Sequence, residues 1–321
     1  SPNFCYAGHL DVVPPGNLND WVVNPFKPAV KKGYLIGRGA NDMKSSIAAF
    51  VTAVSNFSKI NKKFSGSISL LITGDEEGIA INGTKKVVEY LRKRKEKIDF
   101  CLVGEPTNPN KLGEMIKIGR RGSMTGKLSV IGIQGHVAYP NRANNPSTAL
   151  VKILKELKEI KFDKGTKDFQ PTNLEITKIN IDNSADNVIP GLASASFNIR
   201  FNNKHTSYKL KNKINKIIKQ ICNKNKSKYK IEYSVSGEAF LTKPNKTTFM
   251  IQNTIKKITK IKPKLSTTGG TSDARFIRKI APCLEFGLVG KTMHKVGECV
   301  SLSDLKRLTL IYTKILDNYF K

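Results

Sequence analysis

Short apolar runs alternate with amphipathic helical stretches at both ends of this chain, and the alternation stops in the middle. Residues 3–9 read as a buried strand, 42–59 as a helix, 66–73 as a strand, 82–95 as a helix and 99–104 as a strand. Helix 42–59 places Ile47, Phe50, Val51, Val54 and Phe57 on one stripe, the spacing of a helix packed on one side. Strand–helix alternation predicts an α/β domain with a largely parallel sheet covered on both faces. It resumes near the end, with helix 247–260, strand 264–268, helix 272–279, strand 282–286 and helix 302–319.

The middle reads differently. Strand 123–133 precedes helix 147–160, whose apolar face is Ala149, Leu150, Ile153, Leu154, Leu157 and Ile160. Strands near 172–181 and 192–201 follow, then helix 207–223 with Leu210, Ile214, Ile217, Ile218 and Ile221, then strand 229–235. The order β-α-β-β-α-β is that of a ferredoxin-like α+β unit. The expected organisation is a discontinuous domain, 1–121 and 237–321, with an inserted domain at 122–236. A chain of 321 residues suffices for two such cores.

Composition narrows the function classes. The net charge is +30, but only ten of the 55 basic residues are arginines. Arginine is the bidentate reader of phosphates and base edges. The lysines are spread along nearly every element without interleaved aromatics, so a solvated surface is expected and no specific nucleic-acid partner. No apolar run has membrane-spanning length. Five cysteines without paired spacing suit a reducing compartment, the cytoplasm. The chain opens on Ser1, and Phe4 to Gly8 already read as core, so further residues are expected ahead of it.

Potential metal ligands gather at strand ends. His9 closes the first strand, and Asp11 two residues on can share its side of an extended chain and orient its imidazole. Thr73-Gly74-Asp75-Glu76-Glu77 follows an apolar strand. Adjacent carboxylates there call for a cation or a solvated turn. Glu105 follows the next strand, and His294 lies in Thr292-Met293-His294-Lys295. Asp42 precedes a helix, and local grammar makes it a helix cap. His, Asp and Glu together suit zinc.

Four runs resemble the signatures of one enzyme family. They are Gly8-His9-Leu10-Asp11-Val12-Val13-Pro14, Gly37-Arg38-Gly39-Ala40-Asn41-Asp42-Met43-Lys44, Asp75-Glu76-Glu77 and Gly104-Glu105-Pro106-Thr107. The family is that of the co-catalytic zinc aminoacylases, carboxypeptidases and deacetylases. The resemblance is nearest to its desuccinylase branch. Gly119 to Ser123, Gly135 to Pro140, Asn187 to Pro190, Phe240 to Pro244 and Thr268 to Phe276 carry that choice.

The resemblance implies a zinc-hydrolase catalytic domain, an inserted dimerisation domain and a homodimer. It implies two zinc ions per subunit, with cobalt able to fill one site. His9 and Glu105 would hold one ion, Glu77 and His294 the other, with Asp42 between them. Glu76 would be the general base and Asp11 the orienter of His9. His136 would serve the partner subunit's site. Arg120, Arg121, Ser123, Tyr139, Asn187, Arg200, Gly270 and Thr271 would meet the substrate. That substrate would be N-succinyl-diaminopimelate, with N-acetylornithine as the alternative. A cis peptide after Asp42 is implied too, as are about fifty residues before the His9 strand, a length compatible with domains of this class. Asp186 departs from the pattern, which has Asn there. His205 matches no motif and is expected to be solvated.

Overall fold

The computed structural model describes residues 2–321, and these form two compact units. One comprises residues up to Gly119 with Leu241–Thr267 and Ser272–Lys321; the other is Arg120–Phe240 with Thr268–Thr271. The divisions fall at 119/120 and 240/241, against the expected 121/122 and 236/237. The short run Thr268–Thr271 also goes with the inserted unit.

The discontinuous unit is built on a six-stranded sheet. Its strands run, in spatial order, Lys264–Ser266, Met115–Lys117, Cys283–Glu285, Phe100–Val103, Asn3–His9 and Ser67–Thr73. Every pairing is parallel except that of Cys283–Glu285 with Met115–Lys117. Asn3–His9 and Phe100–Val103 are buried almost throughout. That explains why they read as continuous apolar runs rather than alternating ones.

Two long helices pack in this core. Ser45–Ile60 buries Ala49, Phe50, Ala53 and Phe57, spaced at helical intervals of three and four. Val51, expected on that stripe, is 49% exposed instead, and the buried face runs through Ala49, Phe50, Ala53 and Phe57. Leu302–Tyr319 starts where the Ser301 side chain accepts the Asp304 N–H, satisfying an otherwise orphaned amide. Its Leu308, Ile311, Tyr312, Ile315 and Leu316 are buried. Full burial of each such side chain contributes about 1.5–3 kcal/mol.

The inserted unit is a four-stranded antiparallel sheet ordered Asn173–Asn180, Leu192–Phe201, Gly122–Ile131 and Lys228–Gly237. Chain order along the sheet is second, third, first, fourth, the ferredoxin-like arrangement. Helices Pro146–Glu159 and Ser207–Lys224 bury Leu150, Ile153, Leu157, Leu210, Ile214 and Ile218 in its core. Gly122 and Gly126 are needed there. A Cβ at either would collide with the Phe201 or Phe197 ring on the neighbouring strand.

The short sheet of Ala29–Lys31, Tyr34–Ile36 and Cys299–Ser301 has no counterpart in the sequence reading. Three-residue strands are too short to show periodicity.

Candidate metal centre

Three neighbouring strands bring donors to one edge of the parallel sheet. His9 is the last residue of its strand and lies in register with Thr73. Glu76 and Glu77 follow Thr73, and Glu105 follows the strand ending at Val103. The carboxyl edge of an open α/β sheet is where such folds place ligands.

Asp42 arrives from the segment ahead of helix Ser45–Ile60. Its φ of −119° and ψ of 94° are not helical, and the peptide Asp42–Met43 is cis. The helix therefore begins at Ser45, not at 42, and Asp42 does not cap it. The helix cap position is Lys44, without a side-chain cap bond. Met43 is fully buried, and two glycines leave it room. A Cβ on Gly8 would lie 2.7 Å from Met43 Cε, and one on Gly104 2.8 Å from the same atom.

The side chains interlock around Asp42. Its Oδ1 lies 3.3 Å from His9 Nε2, and its Oδ2 lies 3.1 Å from His294 Nε2. His294 Nε2 is also 2.9 Å from Glu77 Oε1, and His9 Nε2 is 3.8 Å from Glu105 Oε1. On its far side, His9 Nδ1 faces the Asp11 carbonyl oxygen at 3.0 Å and the Asp11 carboxylate at 3.5 Å. Asp11 thus fixes the ring more through its backbone than through its side chain. Its Oδ2 accepts the Glu77 N–H at 3.0 Å.

Two donor triads follow, His9–Asp42–Glu105 and Asp42–Glu77–His294, each with donor atoms within 4.8 Å of one another. They share Asp42. A third set, His9–Glu76–Glu77, meets the same limit. The acidic run therefore divides. Glu76 and Glu77 face the cluster, whereas Asp75 turns back to accept the Ile81 and Asn82 N–H groups.

The electrostatics register the crowding. Burial opposes charge on His9, but the Asp42 hydrogen bond and the Glu105 and Asp42 charges push its pKa up to about 10. His294 rises to about 9, chiefly through Asp42. Asp42 falls to about 2 despite its burial, because both imidazoles hydrogen-bond to it. Burial lifts Glu105 well above the carboxylate range, and Asp42 and Glu76 add to the rise. Burial and then Asp273 raise Glu76 to about 7, against His9 and Arg275. Four carboxylates crowd two imidazoles here, and the raised Glu76 and Glu105 show that the site holds protons to relieve the crowding; divalent cations would take their place. The donors are oxygen and imidazole nitrogen, a set that fits zinc or cobalt.

The remaining expected residues lie in the inserted unit. His136 and Val188 are paired across adjacent strands, and Val137 N–H donates to the Asn187 carbonyl at 3.0 Å. The rings of His136 and Tyr139 are 5.7 Å apart. His136, Tyr139 and Asn187 thus share one exposed edge. Arg200 stands opposite Ser123 in the sheet register. Burial lowers the pKa of both Arg121 and Arg200, and for Arg121 the Arg200 charge contributes as well. Arg120 is buried and donates to the Thr268 carbonyl at 3.4 Å. Gly270 is exposed and Thr271 half-buried. Asp186 is exposed.

His205 is half-buried rather than free in solvent. Its Nε2 lies 3.0 Å from Asp163 Oδ2, and its ring meets Phe162 edge-on. The partner is 42 residues away, beyond any local pattern.

Two further residues meet the site: Glu298, outside every motif, and Arg275, inside the Thr268–Phe276 run but with no role expected of it. Arg275 is buried, with Nη1 3.9 Å from Glu76 Oε1. Glu298 is buried behind Asp42 and bonded to Arg38. The one available signal was an acid four residues after His294 in an otherwise basic stretch.

Residues 5–318 match the model of peptidase family M20/M25/M40. The chain belongs to this family. It is accordingly a metal-dependent hydrolase of amide bonds. Among relatives, it is 78% identical over 319 residues to the succinyl-diaminopimelate desuccinylase of Pelagibacter ubique, covering 99% of this chain and 83% of the relative. The same enzyme of Wolbachia pipientis is 49% identical, with 99% and 79% covered. In fold, the chain resembles aminopeptidase PepT from Bacillus cereus at a TM-score of 0.81 and 18% identity, over 100% of this chain and 81% of that one. An M20 family metallo-carboxypeptidase from Sulfolobus solfataricus follows at 0.78 and 18%, with 99% and 85% covered. These M20-type neighbours have the α/β fold expected. The expectation, drawn from the resemblance, of about fifty residues before the His9 strand is not borne out by the matches, which cover this chain.

Proposed function

We infer that this chain is a succinyl-diaminopimelate desuccinylase. It hydrolyses N-succinyl-LL-2,6-diaminopimelate to succinate and LL-2,6-diaminopimelate, a step of lysine and diaminopimelate synthesis. The observation that carries the reading is the identity of 78% to a desuccinylase over 99% of the chain. The paired donor triads around Asp42 support it.

His9 and Glu105 would hold one zinc ion and Glu77 and His294 the other, with Asp42 reaching both; cobalt suits one site equally. When bound, such ions polarise the amide carbonyl and acidify water. The chain's own residues do the rest. Glu76 takes a proton from the attacking water as the carbon–oxygen bond forms. It then gives that proton to the leaving nitrogen as the carbon–nitrogen bond breaks. Asp11 keeps the His9 ring oriented.

His136 Nδ1 accepts the Ala138 N–H at 3.0 Å, which leaves its Nε2 to donate. A donor of that kind stabilises a developing oxyanion. We assign it to the site of a second subunit, so the enzyme acts as a homodimer joined through the inserted unit. Arg120, Arg121, Arg200, Ser123, Tyr139, Asn187, Gly270 and Thr271 are assigned to the substrate. Arginine forks suit its carboxylates. The five cysteines are free, which supports a cytoplasmic location. Among the described residues, no helix is long and apolar enough to cross a membrane.

The test is a comparison of kcat/KM for N-succinyl-diaminopimelate and N-acetylornithine with the zinc-loaded protein. The first is expected to be the better substrate by orders of magnitude. Faster turnover of N-acetylornithine overturns the assignment.

A further inference from the structure

The buried pair Arg38–Glu298 lies outside both donor triads, and the chemistry above does not use it. The two side chains are 2% and 1% exposed, with Arg38 Nη1 2.6 Å from Glu298 Oε2. A buried ion pair is a weak source of stability, because desolvation offsets its attraction. Its placement is better explained by what it holds.

Glu298 accepts three backbone amides besides the guanidinium. Oε2 takes the Gly39 N–H at 3.2 Å; Oε1 takes those of Asn41 at 2.8 Å and Asp42 at 2.9 Å. The segment that presents Asp42 is therefore wrapped around one carboxylate. Gly39 has φ of +79°, a left-handed conformation, and a Cβ there would meet Val12 Cγ1 at 2.5 Å. Only glycine fits that wrap easily.

Arg38 extends the same hub to the two histidine segments. Nη1 also donates to the Lys295 carbonyl at 3.1 Å, next to His294. Nη2 donates to the Pro14 carbonyl at 3.2 Å, on the chain leaving His9 and Asp11. The guanidinium packs over Trp21, 5.2 Å from the ring centre. One ion pair thus ties together the segments bearing His9, Asp42 and His294.

We propose that Glu298, locked by Arg38, is the positioning residue that holds the Asp42 carboxylate between His9 and His294, and so sets the affinity of the metal centre. The proposal rests on the metal-centre reading. Glutamine at 298 keeps the size but not the acceptors. Its amide NH2 would face Arg38 or the Gly39–Asp42 amides, donor against donor.

The experiment compares the full-length wild type with Glu298→Gln and Arg38→Lys. Zinc affinity is measured by competition with a chromogenic chelator, and melting of the metal-free proteins is followed in parallel. Both variants are expected to bind zinc about ten- to a hundredfold more weakly, as loss of a supporting partner does. Wild-type affinity in both variants overturns the proposal, even if their melting temperatures fall. Should Glu298→Gln fail to fold, Arg38→Lys decides alone, by the same two outcomes. Wild type that binds zinc but does not cleave N-succinyl-diaminopimelate defeats the substrate assignment and leaves this comparison standing. Wild type that binds no zinc overturns the metal centre and this proposal with it.

Discussion

Glu76 and Glu77 are neighbours in the chain but face different partners. Glu77 meets His294 at 2.9 Å and hangs from Asp11 through its backbone N–H. Glu76 lies near Arg275 and is raised to about 7 by burial and Asp273. Both belong to a possible donor set with His9, so distance alone does not separate base from ligand. Substitution does. Glu76→Gln is expected to keep its zinc while kcat falls by about 10²- to 10⁴-fold, the range for loss of a general base. Metal analysis with steady-state kinetics checks it. Zinc loss in Glu76→Gln would make Glu76 a ligand instead.

At the scale of elements, the long periodic ones were legible and the irregular ones were not. Strands Asn3–His9 and Leu192–Phe201 and helix Leu302–Tyr319 fall where their apolar patterns put them. Helix 42–59 was overextended because Asp42 resembles a cap by composition, while its backbone geometry comes from Glu298, far along the chain. The candidate ligands brought together around Asp42 stood out as strand-end residues and through the resemblance. Arg275 and Glu298 did not, since an isolated charge has no period to betray its burial.

The loop around Asp163 is a second long-range element. Asp163 accepts N–H groups from Gly165 and Thr172 and the Asn202 amide, and it meets His205. Burial works against its charge, but hydrogen bonds from the Thr172 hydroxyl, the Gly165 N–H, the Asn202 amide and the Thr172 N–H bring its pKa down to about 2. A depressed carboxylate stabilises the fold above its unfolded pKa, and that share disappears as pH falls toward about 2. Asp163→Asn should therefore cost on the order of 1–2 kcal/mol at pH 7. The difference from wild type should close as pH drops from 4 to 2. Denaturant unfolding at several pH values measures it; a gap that persists at low pH would assign the loss to packing.

Across the whole molecule, the candidate metal donors all belong to the discontinuous unit. Metal removal should accordingly weaken that unit. With zinc about a hundredfold above its Kd, binding adds about 2.7 kcal/mol. Chelation should then lower the melting temperature by about 5–10 °C. Calorimetry with and without chelator checks this, and an unchanged transition would count against the centre. Much of the large positive charge lies on solvent-facing surfaces. In helix Ser207–Lys224, for example, Lys209, Lys213, Lys216 and Lys219 are exposed while Leu210, Ile214 and Ile218 face the core.

The insertion also dictates an order of events during synthesis. His9, Asp42, Glu77 and Glu105 leave the ribosome first, then Arg120–Phe240, the bulk of the inserted unit, and only afterwards His294 and Glu298. At about 5–20 residues per second, the first four donors wait on the order of ten seconds or more for the last. During that interval the strand pairs Asn3–His9 with Ser67–Thr73 and with Phe100–Val103 can form, but Cys283–Glu285 cannot yet join them. The inserted unit has all its strands and both its helices and can fold ahead of its host. A metal held by all five candidate donors can therefore enter only as a closing step, after His294 has been made.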